Sequence, residues 1–402
     1  MVGFYEALEA LEAQLVYPSA KESVFISSAF GRTLAEDIKA SENSPAFNTS
    51  AMDGYAIKCS DMGSDIVIKG FIQAGSDRSY ELKRGEAYKI FTGALIPDGA
   101  DAVVKVEECR DSDGKLIIEK DSVKEYENIR RVGDSYKKGD VLLSQGTKVG
   151  AVEVGLIASL GVSEVDVFRL PSVGVVSFGE ELLSLSSKKQ LDSQIYSSNN
   201  YALCAYIQDL GAKAYNLGVV KDNFESSKRV IVEALKSYDV VVTTGGMSKG
   251  DFDFIQEILK EIDAKEVFKG VKMKPGKPIG VYKKDSKFII GLPGFPNSAF
   301  VTFSLFGKPI IKALLGQKHE FTTHKGVLKE SVRKSGDRFE FRPAEAFYED
   351  GRLTLSFSSK KSNSSAIINN LVGSSALAML PKEGEYIAGS EVDVYMFKSI
   401  GV

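Results

Sequence analysis

Asp239–Phe254 reads DVVVTTGGMSKGDFDF. The run Asp239–Thr244 is β-branched and apolar, so it suits a strand buried on both faces, as in a parallel sheet. The glycine pair ends it, and Phe254–Ile262 has helical periodicity. In an open parallel sheet, ligands bind where the strands finish. Gly245 and Gly246 allow a tight turn whose amides face such a ligand, and the following helix start favours an anion. Ser248 adds a hydroxyl donor. Asp251 and Asp253 can cap the helix or hold a hydrated Mg²⁺. A plain glycine turn before an ordinary helix cap would read the same way.

The neighbouring chain continues the rhythm. Val173–Ser177 (VGVVS) is a second buried strand, and Asn199–Leu210 is a helix stopped by Gly211. Strands are expected at 214–220, 278–282 and 287–291, with helices at 224–238 and 298–315. Alternating elements of this kind imply a parallel sheet covered on both sides. Three more strand ends stand out. Lys272–Pro278 (KMKPGKP) places three lysines on a stretch stiffened by two prolines, a cationic patch suited to an oxyanion. It is not a phosphate loop of the Walker type, because five residues separate Gly270 from Gly276 and Pro278 stands where Ser or Thr is needed. Gly291–Ser298 (GLPGFPNS) supplies another glycine-lined turn, so Pro293, Pro296 and Ser298 join the substrate-lining candidates. Gly179-Glu180-Glu181 puts a carboxylate at the end of the VGVVS strand.

Outside this region the texture changes. Phe4, Leu8, Leu11 and Leu15 recur at helical spacing, and a further helix is expected near 24–40. From 41 to 140, short β-rich runs alternate with Gly, Asp and Ser turns, and Val149–Leu160 is helical again. The first and last of these pieces therefore read as one domain interrupted by a β insert. After Gly316 the chain returns to short β segments. The 51 basic and 54 acidic side chains nearly cancel, which removes the electrostatic case for nucleic acid or an anionic membrane. No apolar run is long enough to span a bilayer. The acidic, amphipathic start is wrong for a signal peptide, so the cytoplasm is the expected location. Three scattered cysteines and two histidines give no zinc pattern. Any metal should be a hard cation on oxygen, or one delivered by the substrate.

Five segments occur in one order: SPAFNTSAMDGYAI, FTGALIPDGADAVV, TTGGMSKGDFDF, KMKPGKPIGVY and GLPGFPNSAF. Together the chain resembles the molybdopterin molybdenumtransferase family, the MoeA and gephyrin E-domain proteins, over essentially its whole length. The resemblance implies an α/β multidomain fold. A discontinuous helical, elongated domain (1–40 and 141–170) is interrupted by a β-rich insert (41–140). A three-layer α/β domain with a mostly parallel sheet (171–316) and a C-terminal β-barrel domain (317–402) follow. It further implies a homodimer that accepts adenylylated molybdopterin from an upstream molybdopterin adenylyltransferase. Molybdate is inserted with Mg²⁺ present and AMP is released. The cleft would lie between the α/β domain of one subunit and the β insert of the other.

Carried over position by position, Asp53 and Thr92 would stand on the insert side, with Asp53 serving pyrophosphate cleavage or Mg²⁺ placement. Glu181 and Asp253 would hold the pterin or the metal. Lys274 and Lys277 would bind molybdate or phosphate oxygens, and Arg342 and Ser365 would contribute from the C-terminal domain. Three departures from the family pattern are visible. Ser135 follows Gly133-Asp134 where a second acid is usual, Ala366 follows Ser364-Ser365 where histidine is usual, and Asn369-Asn370 replaces a serine pair. An adenylyltransferase and a non-catalytic cofactor-binding scaffold are the alternative readings. The first would have no need of the insert and the C-terminal domain.

Overall fold

A computed structural model describes residues 1–18, 20–76, 79–221, 223–246, 254–318, 320–358 and 368–398. Two compact units are present: 1–35 with 146–154 and 164–402, and 36–145 with 155–163.

The first unit is built on a six-stranded sheet. Its order is Lys213–Val220, Ser172–Phe178, Val240–Thr244, Lys287–Leu292, Gly280–Lys284, Lys265–Lys269. The first four strands run parallel, and the last two join antiparallel as the chain folds back in a hairpin. The sheet is thus mixed at one edge, where the short connection 285–286 leaves no room for a crossover helix. Strand residues alternate between two cores, as a period of two requires. Val173, Val175, Val240, Val242, Phe288 and Ile290 face the helix Asn199–Asp209 and the helical run that begins at Pro296. Val176, Phe178 and Ile289 face the helices Phe224–Ser237 and Phe254–Glu261. The run expected at 298–315 is one helical stretch, Pro296–Thr302 then Lys308–Leu314, with a π-turn at Phe303–Gly307 between them. Asn223 caps the helix Phe224–Ser237 by accepting the Ser226 N–H at 3.1 Å. Asn223→Ala should cost about 1 kcal/mol, read from the denaturant midpoint; an unmoved midpoint would remove the cap from the account.

The C-terminal strands close on themselves. Phe339–Glu349 pairs with Arg352–Ser356, which pairs with His324–Leu328, then Glu391–Met396, then Ala376–Leu380, which returns to Phe339–Glu349. This five-stranded barrel has its own small-residue interior, including Ala344, Ala346, Ala376 and Ala378. Its outward residues Phe341, Leu377, Met379 and Tyr395 enter the core of the α/β sheet. The helix Phe4–Glu12 joins the same core through Phe4, Ala7, Leu8 and Leu11. The helix expected near 24–40 is absent. Lys21–Phe25 is a strand paired antiparallel with Glu164–Phe168, followed by a 3-10 turn at Ile26–Ser28 and a short strand at Ile38–Lys39. Pairing with a distant partner strand outweighed weak helical periodicity.

The second unit holds a six-stranded sheet in the order Ala102–Lys105, Gly54–Ile57, Glu86–Ile90, Ile66–Ile72, Lys115–Ile118, Cys109–Ser112. Tyr55, Ile57, Ala87 and Val104 fill one of its cores, and Ala56, Ile72, Ile90 and Val103 another. Gly54 is more than a turn residue. A Cβ there would lie 2.0 Å from the Val104 carbonyl oxygen, so the strands could not approach.

Candidate functional site

Where the parallel strands end, the α/β sheet and the barrel enclose a cleft of about 930 Å³. Its floor carries Gly179, Gly245, Gly246 and Gly294 at strand ends, its flank the turn Lys274–Pro278, and its far wall Arg338, Glu340, Arg342 and Phe357 of the barrel side. Four basic side chains and two acidic ones line it, so the space is cationic. Pro293, Pro296 and Ser298 also line it. Tyr196 and the exposed Phe295 give it flat apolar walls.

Below the floor lies a polar network. The Ser177 hydroxyl reaches Thr244 Oγ1 at 2.7 Å and pairs with Asn200 Oδ1, while Asn200 Nδ2 donates to Asn216 Oδ1 at 2.9 Å and to the Gly218 carbonyl at 2.7 Å. Ser177 and Thr244 occupy the positions that continue the Val173/Val175 and Val240/Val242 series. The same face that is apolar in mid-sheet therefore turns polar at the carboxyl end, and these bonds fix the strand ends. Asn199 Nδ2 donates to the Gly294 carbonyl at 2.7 Å and ties two strand-end turns together.

The cations are positioned by strand pairing. Met273–Lys274 forms a short parallel strand against Phe339–Glu349, with Lys274 opposite Glu340. Glu340 and Arg342 are two apart on that strand, so they share a face. Glu340 Oε1 accepts Arg342 Nε at 2.9 Å and Nη2 at 2.6 Å, and Nη2 also donates to the Arg333 carbonyl at 3.1 Å. Nη1 has no hydrogen-bond partner among the described residues. Lys274 Nζ stands 3.4 Å from Glu340 Oε2. Lys277 is exposed at the cleft rim, and Glu181 folds back over Gly179, its Oε2 2.8 Å from where a Cβ there would be.

Asp53 and Thr92 lie in the second unit. Gly54 pairs with Ile90 across the sheet, which brings the next residues along each strand together. Thr92 N and Oγ1 both donate to Asp53 Oδ1 at 2.7 Å. These bonds, the backbone one foremost, hold the exposed Asp53 carboxyl below its ordinary value. Because the folded value is depressed, the Thr92 interaction stabilises the fold above the unfolded value of 3.8 and is lost as pH falls through the folded one. Thr92→Val should raise the Asp53 midpoint part of the way back, since the Thr92 amide remains; NMR titration of the carboxyl carbon would show it, and no movement would contradict the assignment.

The structure thus gathers Glu181, Gly245, Gly246, Lys274, Lys277, Pro293, Pro296, Ser298 and Arg342 around one cleft of the first unit, and within the second unit it pairs Asp53 with Thr92. Ser248, Asp251, Asp253 and Ser365 lie outside the described residues, as does Ala366. Asp134 accepts the Arg131 N–H at 2.6 Å, and Ser135 takes Arg130 Nη2 at 2.8 Å. Asn370 is buried and lines the cleft. Glu340 and Asn199 escaped the sequence reading. The alternation Phe339-Glu340-Phe341-Arg342 was the available signal for Glu340.

This is the architecture of a multidomain α/β protein with a cleft lined by more basic than acidic side chains, and comparisons with known proteins place the chain in a family of enzymes. Residues 2–161 match the MoeA N-terminal region (domain I and II), 174–313 a probable molybdopterin binding domain, and 325–397 the MoeA C-terminal region (domain IV). A molybdopterin molybdenumtransferase of Haemophilus influenzae is 33% identical, with 100% of both chains covered. One from Nostoc is 33% identical, covering 94% of this chain and 88% of its own. The crystal structure of the molybdopterin biosynthesis MoeA protein from Pyrococcus horikoshii superposes with TM-score 0.85 at 29% identity, covering 100% of each chain. The chain belongs to the molybdopterin molybdenumtransferase family, transferases of molybdenum cofactor biosynthesis. Among the described residues no helix is long and apolar enough to cross a membrane.

Proposed function

We propose that this chain inserts molybdate into adenylylated molybdopterin in a Mg²⁺-dependent reaction that releases AMP. The observation that carries the reading is the convergence of Lys274, Lys277 and Arg342 on a cleft floored by glycine turns. Molybdate is a tetrahedral dianion and the adenylylated pterin carries a pyrophosphate, so both gain from fixed cationic donors in a partly desolvated space. The apolar walls suit the pterin. The dithiolene sulfurs come from the substrate.

Asp53 presents one occupied and one free carboxylate oxygen, and among the described residues no group of three metal-ligating acids, histidines or cysteines is assembled. That donor set fits Mg²⁺, which commonly takes one or two carboxylates and completes its shell with water and substrate phosphates. Asp53, with Asp253 as second candidate, would hold it, and the ion would neutralise charge on the pyrophosphate. Thr92 keeps Asp53 ionised and aimed. In this reading the protein works as a cytoplasmic homodimer, the insert of one subunit facing the α/β cleft of the other. A molybdopterin adenylyltransferase supplies the substrate.

The test is to mix the purified chain with adenylylated molybdopterin, Mg²⁺ and molybdate, and to measure AMP and molybdenum cofactor. AMP release should require molybdate. Release without molybdate dependence, or none, would remove the proposal. ATP-dependent adenylylation of molybdopterin would replace it with the adenylyltransferase reading, and binding without turnover with the scaffold reading.

A further inference from the structure

We infer that Glu340 is a built-in counter-ion, which holds Lys274 by charge and yields it to an incoming oxyanion. This deepens the reading that the cleft takes molybdate and rests on it. Glu340 is 4% exposed, in the wall of a cleft that attracts anions. A carboxylate placed there repels the ligand the site is built for, so its presence needs a reason. Its two oxygens are used unequally. Oε1 is committed to Arg342 through two hydrogen bonds of 2.9 and 2.6 Å. Oε2 is buried and receives no hydrogen bond among the described residues, with Lys274 Nζ at 3.4 Å. Charge-assisted bonds of this type are normally about 2.7–2.9 Å, so the ammonium is attracted without being fastened.

The asymmetry gives a direction to the exchange. Glu340 cannot leave, because it is buried and clamped to Arg342. Lys274 can leave, because its side chain is 33% exposed and its only ion pair among the described residues is the long one. An oxyanion in the cleft can take Lys274 together with the Arg342 Nη1 donors, which have no acceptor among the described residues. Glu340 then remains behind both cations and offsets part of their attraction. It keeps Arg342 pointed correctly while holding the affinity low enough for a charged product to depart. It acts as a positioning residue, through Arg342 and Lys274.

Glu340→Gln tests this, since the amide oxygen still accepts from Arg342 while the charge is gone. Sodium molybdate alone is titrated calorimetrically into the full-length wild type, E340Q and Lys274→Ala. Wild type should bind, K274A should bind at least about tenfold more weakly, and E340Q at least about tenfold more tightly, since Lys274 and Arg342 are then uncompensated. Molybdate should raise the melting temperature of E340Q more than that of wild type. In turnover, KM for molybdate and kcat should fall together, which a merely structural defect would not produce. If E340Q does not fold in buffer, molybdate should restore it. Equal or weaker molybdate binding by E340Q, with K274A weakened, overturns the inference alone, as does E340Q that stays unfolded with molybdate. A wild type that ignores molybdate, or a K274A that binds as well as wild type, overturns the cleft reading and this inference with it.

Discussion

On the proposed reaction, replacing Asp53 with asparagine should lower molybdate-dependent AMP release by about 100- to 1,000-fold, the usual size of losing one fixed group at a reacting centre. The melting temperature should move by less than about 2 °C, because Asp53 is exposed and surface substitutions are usually near neutral. Asparagine keeps an oxygen to accept the Thr92 amide and hydroxyl, so the turn survives while the charge is lost. Asp53→Ala should be as inactive and slightly less stable, since both Thr92 donors then turn to water. Because the carboxyl is already held below its ordinary value, activity on the acid side should not fail through this residue until the pH is well below neutral. A large drop in melting temperature for Asp53→Asn, with turnover preserved in the folded fraction, would make the residue a structural turn and nothing more.

Gly245→Ala should be the most damaging single methyl group at the floor of the cleft. Gly245 has φ +83, a left-handed conformation that costs an L-residue roughly 1–2 kcal/mol. A Cβ there would also meet the Phe178 carbonyl oxygen at 2.3 Å, and that atom is backbone inside a buried strand. Neither strain relaxes without separating two central strands. A loss of about 3 kcal/mol follows, or roughly 5–10 °C in the melting transition of this unit. Turnover should fall as well, because the turn borders the cleft. A variant that melts with wild type would show that the turn adapts, and would weaken every argument that treats the floor as rigid.

Much of this was legible in the letters, for physical reasons that differ by element. Val173–Ser177 and Asp239–Thr244 have no polar alternation, so burial on both sides was their only sensible state. The glycines that end them announced the cleft floor. Lys274 and Lys277 stood out because proline and glycine stiffened the chain around them. Lys21–Phe25 was missed because a five-residue strand depends on a partner at Glu164–Phe168, which no local window contains. Glu340 was missed for a related reason. A charge in a strand ordinarily marks the wet face, and only closure of the barrel and the pairing with Lys274 bury it. The π-turn at Phe303–Gly307 lies inside a run apolar all round, where no stripe of polar residues reports the helical phase.

Lys274 leaves the α/β sheet on a short turn, yet its backbone is bonded into the barrel beside Glu340. The backbones of the lysine and the arginine therefore hang from a single ladder, which fixes where the two side chains begin and leaves the lysine's long stem free to swing. Rearrangement of the pair around a ligand then falls on the side chains, while the backbone that carries them keeps its register.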